Sequence, residues 1–246
     1  MIKLLKRVAR STFRRLGFDL VSTGAAREST YIEADATIAA ARSAGVSVTA
    51  YVEDLWDQQG ATKRVIDWMA QVGCLGGVTN VLEIGPGTGR YLERVLEKTH
   101  CSRYEIYETA QDWSKWLSGR YGPTVAVRSA DGHSLSATAD KTCELVHAHG
   151  VFVYLNVLNT YEYLFEMDRV CAPGGVLVFD FYPAEAFDEK TARAWLAHPE
   201  RYATVIAEAN IRDLFIRRGY TVLGEMDNPH GRGVSRYLAL RKPGPV

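Results

Sequence analysis

A chain of 246 residues with 47% hydrophobic content is long enough to bury a full core and carries no disordered or collagen-like bias. Its 29 basic and 29 acidic residues cancel, so no whole-chain charge points to a nucleic-acid partner. The cysteines, Cys74, Cys101, Cys143 and Cys171, lie far apart with no C-x-x-C pair, which argues against a zinc site or a disulfide framework and for buried free thiols.

In chain order, the opening segment places six positive charges, Lys3, Lys6, Arg7, Arg10, Arg14 and Arg15, before the first acid, Asp19. It lacks the apolar core and cleavage site of a secretory signal, so the expected location is cytoplasmic; an Arg-rich mitochondrial transit peptide is the alternative. Wound as a helix at ~100° per residue, Ile2, Leu5, Val8, Ala9, Phe13 and Leu16 share one face and the basic residues the other. Such a segment, residues 1–18, suits peripheral contact of residues 1–16 with an anionic inner-membrane surface, or docking onto the domain. Residues 31–43 and 47–72 then show helical spacing, which makes 1–77 an N-terminal helical extension.

From residue 78 onward β-rich runs alternate with helical ones: VLEIG (81–85), YEIYE (104–108), VAVRSAD (125–131), ELVHAHG (144–150) and VLVFDFY (176–182). The alternation predicts an α/β domain over 78–246, a Rossmann-like doubly wound and mostly parallel sheet. After an insertion at 183–204, a helix ends at Gly219 and two last runs, TVLGEMD and SRYLALRK, close the seven-stranded sheet as a C-terminal antiparallel hairpin. In such a sheet ligands sit beyond the carboxyl ends of the strands.

The first of these loops is VLEIGPGTGRYL. Gly85 and Gly87 allow a tight turn and close backbone approach to a ligand, and Gly89 allows the following helix to pack closely. A dinucleotide loop would need glycine at 90, where Arg90 stands, and no Lys-Ser/Thr pair makes it a P-loop. The stretch resembles the first motif of class I S-adenosylmethionine-dependent methyltransferases, with Glu83 two places before the first glycine. Glu108, SADGHSL with Asp131 and Gly132, ELVHAHGVFVYL, and EMDRVCAPGGVLVFDFY resemble the later motifs in order. The resemblance covers roughly residues 78–182, and Glu144 stands where Asp is more usual. It implies an enzyme that uses S-adenosyl-L-methionine and releases S-adenosyl-L-homocysteine. Glu83, Gly85, Gly87, Gly89 and His149 would border the cofactor, Glu108 would hold the ribose, and Asp131 and Gly132 would meet the adenine. Openings like this one also resemble those of methyltransferases of bacterial surface-polysaccharide assembly.

Methyl transfer to an alcohol needs a base near neutrality, which suits histidine. His147 and His149 share one face of their strand. His149, nearer the carboxyl end, is the expected base, His230 the second choice, and His147 a hydrogen-bonded core histidine. No metal is required. Tyr51, Tyr182 and Tyr202 are the expected acceptor-binding aromatics, with Trp56 and Trp195 expected in the core. The leading reading is O-methylation of a sugar, glycan or other small molecule. N-methylation of a metabolite, aminopropyl transfer on the same fold, and a non-catalytic cofactor- or partner-binding module are the alternatives.

Overall fold

Five parallel strands form the sheet's main part: β1 (Asn80–Ile84), β2 (Arg103–Tyr107), β3 (Val125–Arg128), β4 (Cys143–Ala148) and β5 (Cys171–Phe181). The hairpin of β6 (Thr221–His230) and β7 (Gly233–Arg241) completes it in the order β3-β2-β1-β4-β5-β7-β6, with β7 antiparallel to both neighbours. This computed structural model describes residues 31–197 and 204–245. The basic segment 1–18, its membrane contact and Tyr202 lie outside the described residues. From Glu33 on the chain forms one compact unit, and no helix among the described residues is long and apolar enough to cross a membrane.

Period-two alternation sorts the central strands onto two apolar faces. Leu82, Ile84, Val146, Ala148, Leu177 and Phe179 pack under α6 (Val157–Val170) and α8 (Glu208–Ile216). Val81, Tyr104, Ile106, Leu145, Val178 and Tyr237 pack under α3 (Ala61–Gln71), α4 (Arg90–Lys98) and α5 (Gln111–Tyr121). Strand order reverses between β1 and β4, which opens the crevice where a ligand is expected. Glu144 joins these two strands at their start: its Oε2 accepts from Thr79 N (2.6 Å), Thr79 Oγ1 (2.9 Å) and Asn80 N (3.1 Å).

Some expectations need correction. The single helical run over 47–72 is two helices, α2 (Val48–Leu55) and α3, because Asp57 (φ 60°) and Gly60 (φ 75°) take left-handed conformations. The buried Glu53 carboxylate reaches across this break, accepting from Gly60 N at 2.8 Å and Thr62 N at 3.0 Å, and so caps α3 from the preceding helix. α1 (Ala34–Ala44) is tied in turn by Ala34 N donating to Asp112 Oδ2 at 2.8 Å. Three cysteines are buried, whereas Cys101 is half-buried. Trp56 is 39% exposed rather than in the core. Trp195, on α7 (Glu189–Ala197), is only partly buried and packs on Tyr182 and Phe187 with ring centroids 5.0 and 4.8 Å away.

Removing the Glu53 cap leaves two helix-start amides without their acceptor. Glu53→Ala should cost about 1–3 kcal/mol in urea unfolding, while Glu97→Ala, which removes an exposed pair with Arg94, should stay within about 0.5 kcal/mol. Equal losses would mean that Glu53 holds nothing particular.

Candidate active site

The loop between β1 and α4 carries three glycines of positive φ: Gly85 at 61°, Gly87 at 52° and Gly89 at 74°. A Cβ on Gly89 would lie 2.4 Å from Leu117 Cδ2, so its glycine lets α4 pack on α5. A Cβ on Gly87 would meet nothing within 4 Å and would project into open space. That is the cradle a ligand needs. Glu108, just beyond β2, closes its side by accepting from Gly87 N (2.7 Å) with Oε2 and from Ala110 N (2.8 Å) with Oε1. Each oxygen keeps a further lone pair for a hydroxyl.

Beneath this loop runs a file of buried polar groups. Glu83 (1% exposed) accepts from the Tyr104 hydroxyl at 2.6 Å, and that hydroxyl lies 2.9 Å from His147 Nε2. His147 Nδ1 is 2.9 Å from His149 Nε2, and His149 Nδ1 is 3.2 Å from the Tyr237 hydroxyl. The Tyr237 hydroxyl also hydrogen-bonds Tyr91, which ties the far end of the file to the ring stacked on His149. Burial pushes Glu83 up to about 8, outweighing the Tyr104 bond, with Glu108 adding to the rise. Burial pushes His147 down to about 3. Burial, then His147 and Arg90, hold His149 well below the histidine range. His147 is therefore the hydrogen-bonded core histidine expected. His149 is 7% exposed, stacks on Tyr91 at 3.9 Å and has both ring nitrogens within hydrogen-bond reach of protein groups. Glu83, His147 and His149 present ligand atoms within 4.8 Å of one another. With Tyr104 they hydrogen-bond one another.

The mouth itself is built by other residues. Gly150, at φ 65°, follows His149, and the His230 ring rests on it: a Cβ there would lie 3.1 Å from His230 Cε1. His230 Nε2 is 3.0 Å from the Tyr154 hydroxyl, and Tyr182 donates to His230 O at 2.7 Å, which pins the hairpin tip. Burial, then Arg90, push His230 down to about 4. Asp180, near the end of β5, accepts from Gly150 N at 2.6 Å. Its Oδ2 is buried with no hydrogen-bond partner among the described residues, although Ser235 lies close enough to temper its charge. Burial pushes Asp180 up to about 6 against the Gly150 bond.

The remaining expected residues lie apart from this group. Asp131 turns its carboxylate to its own loop, accepting from His133 N (2.9 Å), Ser134 N (2.7 Å) and Ser134 Oγ (2.5 Å). These bonds outweigh its desolvation and hold it down at about 2. Gly132, at φ 88°, turns beside Thr109. Tyr51 is half-buried on α2, with no side-chain hydrogen bond or ring contact to the described residues. Tyr182 is buried as a strut under His230. Sequence reasoning missed Tyr91, Tyr104 and Tyr237, whose alternation reads as plain core, and passed over Asp180, whose orphaned oxygen is visible only in three dimensions.

Residues 82–179 match the family model described as a methyltransferase domain. Among solved structures the chain is similar to the N-methyltransferase NodS from Bradyrhizobium japonicum WM9 in complex with S-adenosyl-L-homocysteine, at 18% identity and TM-score 0.55 over 74% of this chain and 87% of that one. It is also similar to magnesium protoporphyrin IX methyltransferase from Synechocystis PCC 6803 with bound S-adenosyl-L-homocysteine, at 14% identity and TM-score 0.57 over 79% and 85%. An O-methyltransferase family protein from Burkholderia thailandensis is similar at 14% identity and TM-score 0.60 over 80% and 60%. At these identities the likeness is one of fold. No curated protein matches in sequence. The family match marks residues 82–179 as a methyltransferase domain, and the sheet order is that of the Rossmann-like fold of the S-adenosylmethionine-dependent methyltransferases. The open space over Gly87, the Glu108 carboxylate beside it and the unpartnered Asp180 oxygen fit such a cofactor.

Two measurements follow from this geometry. Glu108→Ala should weaken S-adenosylhomocysteine binding about tenfold or more in calorimetry, since hydrogen bonds to a charged acceptor contribute about 1.5–3 kcal/mol. Unchanged affinity would remove Glu108 from the site. Folded Glu83 keeps a proton that the unfolded chain, at the ordinary value of 4.5, has lost, so its contribution to stability falls as pH rises from about 4.5 to about 8, then levels off. Above roughly pH 6.5 the similar fall from Asp180 is over, and Glu83→Gln should flatten the remaining slope in urea unfolding to pH 8. An unchanged slope would show that Glu83 is already ionised there.

Proposed function

We propose that this chain methylates a hydroxyl of a sugar, glycan or other small acceptor, with His230 as the base and Tyr154 beside it. S-adenosylmethionine, when bound, supplies a methyl group already activated by its sulfonium. What is left to the protein is to hold the cofactor, place the acceptor oxygen and take its proton. Glu108 and the Gly85–Gly89 loop serve the first task. The carrying observation for the last is that the His230 ring rests on Gly150 at the mouth of β4, its Nε2 3.0 Å from a partly exposed tyrosine hydroxyl. Pushed down to about 4, His230 is neutral at physiological pH, the state a base needs. His149 then acts as a wall of the site, held flat by Tyr91.

The helices over 33–77 and the described part of the insertion, 183–197, frame the acceptor side in this reading. Aromatics with exposed faces support it: Trp56 on one flank, Tyr154 and Phe187 on the other. The sugar acceptor and the cytoplasmic face of the inner membrane are carried by the likeness of the opening segment to those of surface-polysaccharide methyltransferases.

A screen of hydroxylated acceptors with radiolabelled methyl donor tests the reaction, and amine acceptors labelled instead would replace it with N-methylation. On the acceptor found, His230→Gln should lower kcat by about 10²–10³-fold and leave S-adenosylhomocysteine affinity unchanged. The acid limb of kcat/KM should fall near pH 4–5 and vanish in that variant. Normal turnover in His230→Gln would overturn the assignment.

A further inference from the structure

Arg90 opens α4, immediately after the glycine loop. A cation at the first position of a helix opposes the helix dipole, so helix stability does not account for it. Its guanidinium lies over the rings of Trp56 (5.3 Å) and Tyr91 (5.1 Å). Its only hydrogen bond among the described residues is a long neutral one, Nη1 to Gln58 Oε1 at 3.3 Å, and it makes no ion pair there. The other partly buried arginines differ: Arg128 pairs with Glu105, Arg169 with Glu166 and Asp140, Arg212 with Glu208 and Glu225, and Arg236 with Glu208 and Asp227.

The acids near Arg90 are spent elsewhere. Glu53 caps α3, Glu83 holds Tyr104, and Asp180 accepts from Gly150. The Tyr91 ring beneath the guanidinium stacks in turn on His149 at 3.9 Å, next in the chain to Gly150 at the mouth. A planar fork fixed between two rings, with donors to spare and amides of a helix start beside it, is built for a planar or tetrahedral oxyanion.

We infer that Arg90 is an anion-binding residue of the mouth, taking a carboxylate or phosphate oxygen. Resting on the methyltransferase reading, this makes the acceptor an anionic molecule, such as an acidic or phosphorylated sugar. The carboxylate at the amino-acid end of the cofactor carries the same chemistry and is the other source.

The test uses the full chain, wild type and Arg90→Gln, with melting temperature as the fold control. Affinity is measured for S-adenosylhomocysteine and for 5′-methylthioadenosine, which lacks the amino-acid end. Stabilisation by inorganic phosphate is then titrated against sodium chloride of equal ionic strength, with and without saturating S-adenosylhomocysteine. An acceptor anion predicts phosphate stabilisation that saturates in the loaded wild type and is lost in Arg90→Gln, with S-adenosylhomocysteine affinity unchanged. A loss of about tenfold or more for S-adenosylhomocysteine, with 5′-methylthioadenosine unaffected, identifies the cofactor carboxylate as the anion. Neither change would overturn the anion site. Failure of wild type to bind S-adenosylhomocysteine would sink the methyltransferase reading alone, since the phosphate titration of free protein still reads Arg90. If Arg90→Gln melts well below wild type, Arg90→Lys decides, because it keeps the charge but loses the fork and should weaken anion binding by an intermediate factor.

Discussion

Glu83, Tyr104, His147, His149 and Tyr237 cross four strands of the sheet inside an otherwise apolar face, and the fold depends on their satisfying one another. A buried polar group without a partner costs about 1–3 kcal/mol, so five of them unpaired would consume most of a domain's stability. Linked in a file, each finds a partner within it, and the cost is met there. Burial keeps both histidines neutral.

The mouth lies one layer further out. Gly150 gives its N–H to Asp180 and its bare Cα face to His230, so one residue without a side chain joins the end of β5 to the tip of the β6–β7 hairpin. Tyr182 secures the same tip from below. His230 and Asp180 are thus positioned at the mouth by backbone and by a buried tyrosine, with less help from loop side chains that a ligand could disturb.

The architecture was largely legible in the sequence because it rests on period and order. Five β-rich runs alternating with helical ones give the parallel sheet, and G-x-G-x-G after the first gives its cofactor end. Glu108 was legible through the family resemblance, and the parallel pairing of β1 and β2 brings their ends together. What escaped depends on pairing across the fold. The break at Asp57–Gly60 is stabilised by Glu53, which in sequence looks like one more acid on a helix. Trp56 reads as core because it is large and apolar, yet its partner is Arg90 at the surface. His149 reads as a base because its strand points it toward the cofactor. Only the fold brings the hydroxyl of Tyr237, 88 residues later, beside its Nδ1.

At the mouth, Arg90 and Asp180 are of opposite sign and feel each other without forming an ion pair. Folding alone would favour closing that pair, because two partly desolvated charges attract more strongly there than in water. Keeping them apart leaves desolvation that binding can recover, and it polarises the mouth between a carboxylate below and a guanidinium at the rim. A neutral acceptor would recover little of it. A molecule with charge in the matching place recovers much more, and rigid donors held open in this way convert that recovery into orientation of the reacting oxygen.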